Sequence, residues 1–316
     1  MRYVLRGTPA TSLITDERAG AEHKGGQSKA THHTELTLLM AVLLLGTNPV
    51  VVKYTVSAIP PLPLVALRFV VAGLLLLGAV RLLRTGGGIG RKDLLAMVGV
   101  GALGVGMMNV LFTLGVSLTS ASDTALLYAA VPVWGMILGA ALGLERPALM
   151  GILGVGLAFL GISVVVYGGL GGSDSSLEGN LLVLGATVCW GSYTVLSLPL
   201  LKRHPPLVVA AYTMLFGGLA TLPFAFPSLL NLDWDAINVK VWVAVVYSTV
   251  LVAAFGFLAW QRGVSRIGAN KVLVYQYLIT LVGVGSGIVL LGEGLGVNKV
   301  IGGAIILFGV YLARRQ

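Results

Sequence analysis

Few residues in this chain have side chains that could do chemistry, and most of them interrupt long apolar runs. In LGTNPVVVK, residues 45–53, an Asn, a Pro and a Lys fall close together. Asn48 can both donate and accept hydrogen bonds. Pro49 lacks an N–H and clashes with the preceding turn, so in a helix it frees the carbonyl of Leu45. The pair reads as a substrate contact or hinge, or equally as a structural kink satisfied by its neighbours. Lys53 and Arg68 are cations in apolar surroundings, where a charge costs roughly a few kcal/mol or more and usually faces a cavity. They could attract a carboxylate or pair with Asp123. Long stems also let both snorkel to a rim, and Lys53 fits a rim or pairing role better than Arg68 does.

Other polar or aromatic residues also fall deep in apolar runs: Asn109, Tyr128, Trp134, Trp190, Tyr193, Trp260, Tyr275, Gln276 and Thr280, with Pro132 as a second candidate kink. Such a set suits non-covalent recognition of a zwitterionic or moderately apolar small molecule by a few placed polar groups. Each aromatic taken alone fits packing or interface anchoring at least as well. Catalytic chemistry finds no support: the sequence offers no metal-ligand cluster, no nucleophile with a base and no phosphate loop. No catalytic residue, cofactor or metal is expected. GGLGGS, 168–173, reads as a linker. The lone Cys189 reads as a small hydrophobe. His23, His32, His33 and His204 fall in the N-terminal region and one loop.

The elements that must position these residues are membrane helices. Of 316 residues, 56% are hydrophobic and 10% charged, against about a quarter charged in soluble domains. A helix crossing a bilayer needs about 20 apolar residues, and ten runs qualify: 36–57, 62–83, 94–117, 121–143, 149–168, 178–199, 206–227, 239–261, 268–291 and 298–313. They are continuous rather than alternating, which excludes the strands of a β-barrel. Pro60, Pro61, Pro63, Pro147, Pro205 and Pro206 stand at junctions, where a missing N–H costs least. Among the 44 glycines, Gly135, Gly139 and Gly143, and Gly283 and Gly287, form small-residue faces suited to close helix packing.

The cations sort by side. With the N-terminus inside, Arg81, Arg84, Arg91, Lys92, Arg146, Lys202, Arg203, Arg262, Arg266, Lys271, Arg314 and Arg315 are cytoplasmic, and only Lys240 and Lys299 lie at the outer side. Translocated loops avoid Lys and Arg. The net charge of +9 is therefore a topology signal, not a nucleic-acid patch, and both termini are expected in the cytoplasm of a plasma (inner) membrane protein. Residues 1–35 are expected to be a disordered cytoplasmic tail.

The two halves resemble each other. Segment 115–145 lies over 263–293 without a gap, matching Gly115 to Gly263, Ser117 to Ser265, Ala121 to Ala269 and Glu145 to Glu293. LGTNPVVVK lies more weakly over WGSYTVLSL, 190–198. Five helices per half is an odd number, so the second half enters from the opposite side. The expected architecture is an all-α membrane protein of ten transmembrane helices in two inverted five-helix repeats, 36–168 and 178–316, joined by an outer linker, 169–177. Inverted repeats build alternating-access carriers with a midplane site, though the same symmetry also builds channels. Asn48 then falls near midplane and Lys53 and Arg68 in the outer half, while Tyr128 overlies Gln276 and Pro132 overlies Thr280. Glu145 and Glu293 read as boundary markers or gate contacts. No buried chain of acids and histidines forms a proton relay, and coupling through Asp123 or a substrate group stays open.

Three segments resemble the EamA family of the drug/metabolite transporter superfamily. LGTNPVVVK is similar to the family's opening helix, with Leu45 in place of a Trp that the second half supplies as Trp190. Leu67-Arg68-Phe69 is similar to its second-helix element. Gly115–Ala121 leading to Leu144-Glu145, repeated by LLGE at 290–293, is similar to its fourth helix. The resemblance covers 36–313. It implies a carrier of amino acids or other small metabolites, moved outward by many members. A monomer or homodimer in a lipid bilayer, with no nucleic-acid partner, is expected. No pair of cations stands in the ninth helix interior, which disfavours a doubly charged phosphate. The alternatives are a non-transporting receptor or assembly subunit, and a lipid flippase.

Overall fold

The computed structural model describes residues 35–142, 149–168, 176–294 and 296–313. Residues 1–34 of the expected tail, Glu145 and Arg146, nearly all of the linker, and Arg314 and Arg315 lie outside the described residues, while Glu35, the last residue of that expected tail, opens the first helix. Among the described residues the chain is helical and contains no strand. The helices are α1 Glu35–Thr55, α2 Pro61–Leu82, α3 Arg91–Leu118, α4 Ala121–Ala141, α5 Leu149–Gly168, α6 Leu177–Leu201, α7 Pro206–Leu230, α8 Val239–Ile267, α9 Ala269–Leu291 and α10 Val297–Ala313. Their bounds follow the ten apolar runs closely. Eight are long and apolar enough to cross a membrane, while the apolar stretches Ile152–Tyr167 of α5 and Val297–Leu312 of α10 are shorter.

Helix ends follow local chemistry. Pro61 and Pro206 sit in the first turns of α2 and α7, where no intrahelical donor is lost. Ser120, Ser176 and Asn238 accept backbone N–H groups at the starts of α4, α6 and α8, satisfying donors that the helix cannot. Gly292, at φ 68°, closes α9 in the left-handed conformation that glycine adopts freely.

Several helices are irregular in their middles. Helix α3 is π-helical over Ala102–Met107, and α8 over Tyr247–Gly256. Helix α4 breaks after Tyr128 and resumes at Val131. Pro132 explains this break, because it has no N–H for the carbonyl of Tyr128. Helix α9 breaks after Val272 and resumes at Tyr275, about one turn earlier than the Pro132–Thr280 match would place it. Helix α1 runs unbroken through Pro49.

Close packing comes from glycine, but the tightest seams are not the ones the sequence singled out. The most extensive contacts join α2 to α7 and α5 to α10. A Cβ on Gly73 would lie 2.6 Å from the backbone of Leu215, and one on Gly218 2.6 Å from that of Val70. Helix α3 meets α7 through Gly101, Gly106 and Gly217, where a Cβ on Gly217 would lie 2.7 Å from the carbonyl oxygen of Gly101. Gly161, Gly302 and Gly309 do the same between α5 and α10. Of the expected faces, Gly283 abuts Ala125 and Gly287 abuts Ser122, while Gly135 meets the side chain of Leu273. Leu74, Leu75, Phe224, Val243 and Val289 point outward and are exposed, as the lipid-facing surface of a bundle requires.

Long-range contacts identify the two ends of the bundle. Leu38 of α1 packs on Gly263 near the end of α8, and Gly86, before α3, faces Val208 at the start of α7. At the other end Ser176, which opens α6, donates its N–H to the carbonyl of Leu118, which closes α3.

Candidate functional site

A cavity of about 50 Å³ lies inside the bundle. At roughly 10–15 Å³ per water it holds only a few. Helix α1 contributes Leu45, Gly46, Asn48 and Pro49, α3 contributes Met108, Asn109 and Phe112, and α4 contributes Ala125 and Tyr128. From the second half come Trp190 of α6, Phe257 of α8, and Gln276, Ile279 and Thr280 of α9. Gly46 lets α1 approach, since a Cβ there would lie 2.6 Å from Cβ of Val282. Met108 and Phe257 each directly follow a π-helical segment. The widened turns of α3 and α8 thus deliver one wall residue apiece, a placement common for π-segments at functional sites.

One part of the wall is aromatic. Trp190 packs its ring on Phe257 at 4.9 Å, on Trp260 at 5.3 Å and on Tyr193 at 5.5 Å between centroids. Phe112 and Tyr128 meet edge to face at 5.4 Å. The polar part is made of amides. Asn109 donates through Nδ2 to the carbonyl of Val105 at 2.9 Å, leaving Oδ1 as its acceptor end. Thr280 donates to the carbonyl of Gln276 at 3.0 Å. The Gln276 side chain is 1% exposed, and neither its Oε1 nor its Nε2 has a hydrogen-bond partner. An unpartnered buried amide is costly.

Behind this wall lies Arg68, 1% exposed. Its Nη2 donates to Oδ1 of Asn48 at 3.0 Å and to the carbonyl of Ser248 at 3.2 Å. The hydroxyl of Thr47 meets that of Tyr247 at 2.8 Å. The start of the α8 π-segment therefore fastens both α1 and α2.

Of the residues singled out in the sequence, Asn48, Pro49, Asn109, Tyr128, Trp190, Gln276 and Thr280 share this cavity. Tyr128 and Gln276, matched across the halves, both line it. Eight lie outside its wall, Lys53 and Asp123 among them. Arg68 is held one layer back by Asn48. Tyr193 turns its hydroxyl to Thr213 at 3.1 Å, and Trp260 donates to Thr194 at 3.2 Å. Trp134 donates to Thr187 at 2.8 Å and packs against Phe159. Tyr275 packs, half-buried, on the main apolar core. Pro132 starts the second part of α4. The remaining wall residues are small or apolar and carry no polar signal in an apolar chain, so the sequence could not mark them.

Polar clusters occupy both ends of the bundle. At the end away from the α1 N-terminus, Glu293 accepts the N–H of Ala121 through Oε1 and that of Ser122 through Oε2, each at 2.8 Å. Lys299 lies 3.2 Å from Asp123 and donates to Ser120 at 3.0 Å. Lys53 donates to the carbonyls of Val116 and Thr119. Lys53 and Asp123 thus belong to an end cluster. Its member Ser120 carried no sequence signal, whereas Lys299 stood out as an outer-side cation and Glu293 through its match to Glu145. At the opposite end Asp93 binds Arg203 at 2.5 Å and His204 at 2.7 Å. Among the described residues no group of three or more His, Cys, Asp or Glu could hold a metal ion.

Known proteins resemble this chain. The chain is 27% identical to an uncharacterized transporter of Archaeoglobus fulgidus, the match covering 89% of this chain and 98% of the relative. It is 30% identical to a probable terminal-alkyne amino-acid exporter of Streptantibioticus cattleyicolor, over 71% of this chain and 74% of the relative. It is 25% identical to a probable amino-acid metabolite efflux pump of Salmonella typhimurium, over 87% of this chain and 92% of the relative. A solved crystal structure, 23% identical, shares the fold with a TM-score of 0.60 over 90% of this chain and 99% of that one. Residues 33–167 and 177–315 each match the model of one family of multi-span membrane transporters, so the chain belongs to the EamA-like transporter family.

Proposed function

We propose that this protein is a secondary carrier, not an enzyme, that moves a small organic metabolite, an amino acid or similar compound, out across the plasma membrane by alternating access. The observation that carries the reading is the cavity, whose wall draws on α1, α3 and α4 and on α6, α8 and α9. A site between repeats at membrane mid-depth is how carriers of this architecture hold substrate. The cavity is too small for a metabolite in this arrangement of helices, which supports a cycle in which the two halves part to load and close to occlude.

Ten crossings in two inverted repeats are part of the same proposal. Helices α3 and α8 share a central π-segment, and α4 and α9 share a break near their starts. The α1 N-terminus sits with the end of α8, while α6 opens at the other end, beside Leu118. Both termini are cytoplasmic in this reading, because that end gathers most of the Lys and Arg. Amino-acid export draws support from the names of two relatives. Purified protein in liposomes should exchange radiolabelled metabolites across the bilayer. Folded protein that moves none of a broad panel of amino acids and related metabolites would sink the reading.

A further inference from the structure

Arg68 is a buried cation with neutral partners. Both hydrogen bonds of its guanidinium go to uncharged oxygens, on Asn48 and Ser248, and its Nε and Nη1 have no hydrogen-bond partner. A guanidinium away from water is ordinarily matched by a carboxylate, because removing a charge from water without one is strongly unfavourable. Here the missing negative charge has a place to come from, since Asn48 separates Arg68 from the cavity.

The contact also fixes which way Asn48 points. A guanidinium has donors only, so the amide must turn Oδ1 toward it. Reversed, N–H would face N–H. The two N–H bonds of Nδ2 are thereby left for the cavity side. On α9, Gln276 adds an amide whose nitrogen has no other partner. The wall therefore offers N–H donors from helices of both halves, with a fixed positive charge behind one of them.

We propose that the cavity takes its substrate by a carboxylate, received by Asn48 and Gln276, with Arg68 as the counter-charge and positioning residue that orients Asn48. A carboxylate supplies two oxygens and several lone pairs to such donors. A phosphate dianion would need a second cation, and the cavity wall contains neither Lys nor Arg. This assignment rests on the carrier reading and deepens it.

The test uses the full chain in liposomes with the twenty radiolabelled amino acids, followed by the carboxamide and the N-acetyl derivative of whichever moves fastest. The carboxamide, which loses the negative charge, should move at least ~10-fold more slowly, while the N-acetyl derivative, which keeps it, should still move. Arg68→Gln also removes the bonds that tie α2 to α1 and α8, so the decisive variant is Asn48→Asp. It places a carboxylate 3.0 Å from Nη2, neutralising Arg68 within the wall and keeping the helices fastened. The variant should unfold at the same temperature as the parent or higher, lose flux of the acid, and show a lower acid-to-amide ratio. If Arg68 merely pins α1 to α8, that ratio stays unchanged, and the proposal falls. Equal flux of acid and carboxamide through the parent protein overturns it while leaving the carrier standing. No flux of any amino acid overturns it together with an amino-acid-carrying function.

Discussion

Glu293 caps the helix that begins at Ala121. Its two carboxylate oxygens accept the N–H groups of Ala121 and Ser122, so an acid at the end of α9 does for α4 what a local side chain usually does. The charge also faces the positive end of the helix dipole. Ser120 accepts the N–H of Asp123 in the ordinary way. The start of α4 is therefore satisfied half from its own sequence and half from the other half of the molecule.

Replacing Glu293 by Gln should lower stability by about 1 kcal/mol, the usual worth of a cap, since an amide can accept only through one oxygen. Thermal unfolding in detergent measures this. Because the contact joins the halves at one end only, a Cys introduced at Ser122 should also react faster with a water-soluble maleimide in the Glu293→Gln background. An unchanged unfolding temperature and unchanged labelling would remove Glu293 from any role in closing that end.

Gln276→Leu should separate stability from transport. The parent side chain is buried with both amide atoms unpartnered, a defect worth about 1–3 kcal/mol that Leu removes. The variant should unfold a few degrees higher and carry substrate poorly. Loss of stability instead would mean that the amide has a partner that holds the fold.

Gly217→Val should abolish folding, whereas Gly78→Ala should be silent. A Cβ on Gly217 meets the backbone of α3 at 2.7 Å, but nothing lies within 4 Å of one on Gly78. Backbone cannot swing aside as a side-chain tip can, so the first clash must part α3 from α7. Membrane-inserted yield and a monodisperse elution profile report the difference.

Trp190→Ala should cost about 3–5 kcal/mol, as loss of a buried aromatic does, because its ring contacts Tyr193, Phe257 and Trp260. Trp190→Phe should keep the fold and raise KM, since the residue also forms cavity wall. A Phe variant with parental KM would confine Trp190 to packing.

The helices were readable from the sequence because a span needs a continuous apolar run, and each run had polar or proline boundaries. Pro132 likewise announced the break after Tyr128. The cavity wall was readable only where polarity interrupts oil: Asn48, Asn109 and Gln276 stood out for that reason. Phe112, Phe257 and Ile279 could not, because an apolar residue looks the same whether it faces lipid, a neighbouring helix or a cavity. Tyr193 and Trp260 stood out equally but lie outside the wall, having found hydroxyl partners on nearby helices. The Asp93–His204 contact was invisible because it joins residues far apart in the chain, neither of which is unusual near a helix end.

The glycine seams of α7 govern how this molecule can change shape. Ordinary helices interlock like gear teeth, and one can slip past another only by lifting its side chains out of their sockets. Along Gly73, Gly101, Gly106, Gly217 and Gly218, main chain rests on main chain, and the surfaces there are smooth. Such a contact resists being pulled apart yet offers little drag to sliding. Helix α7 can thus serve α2 and α3 as a bearing, keeping them seated while they shear.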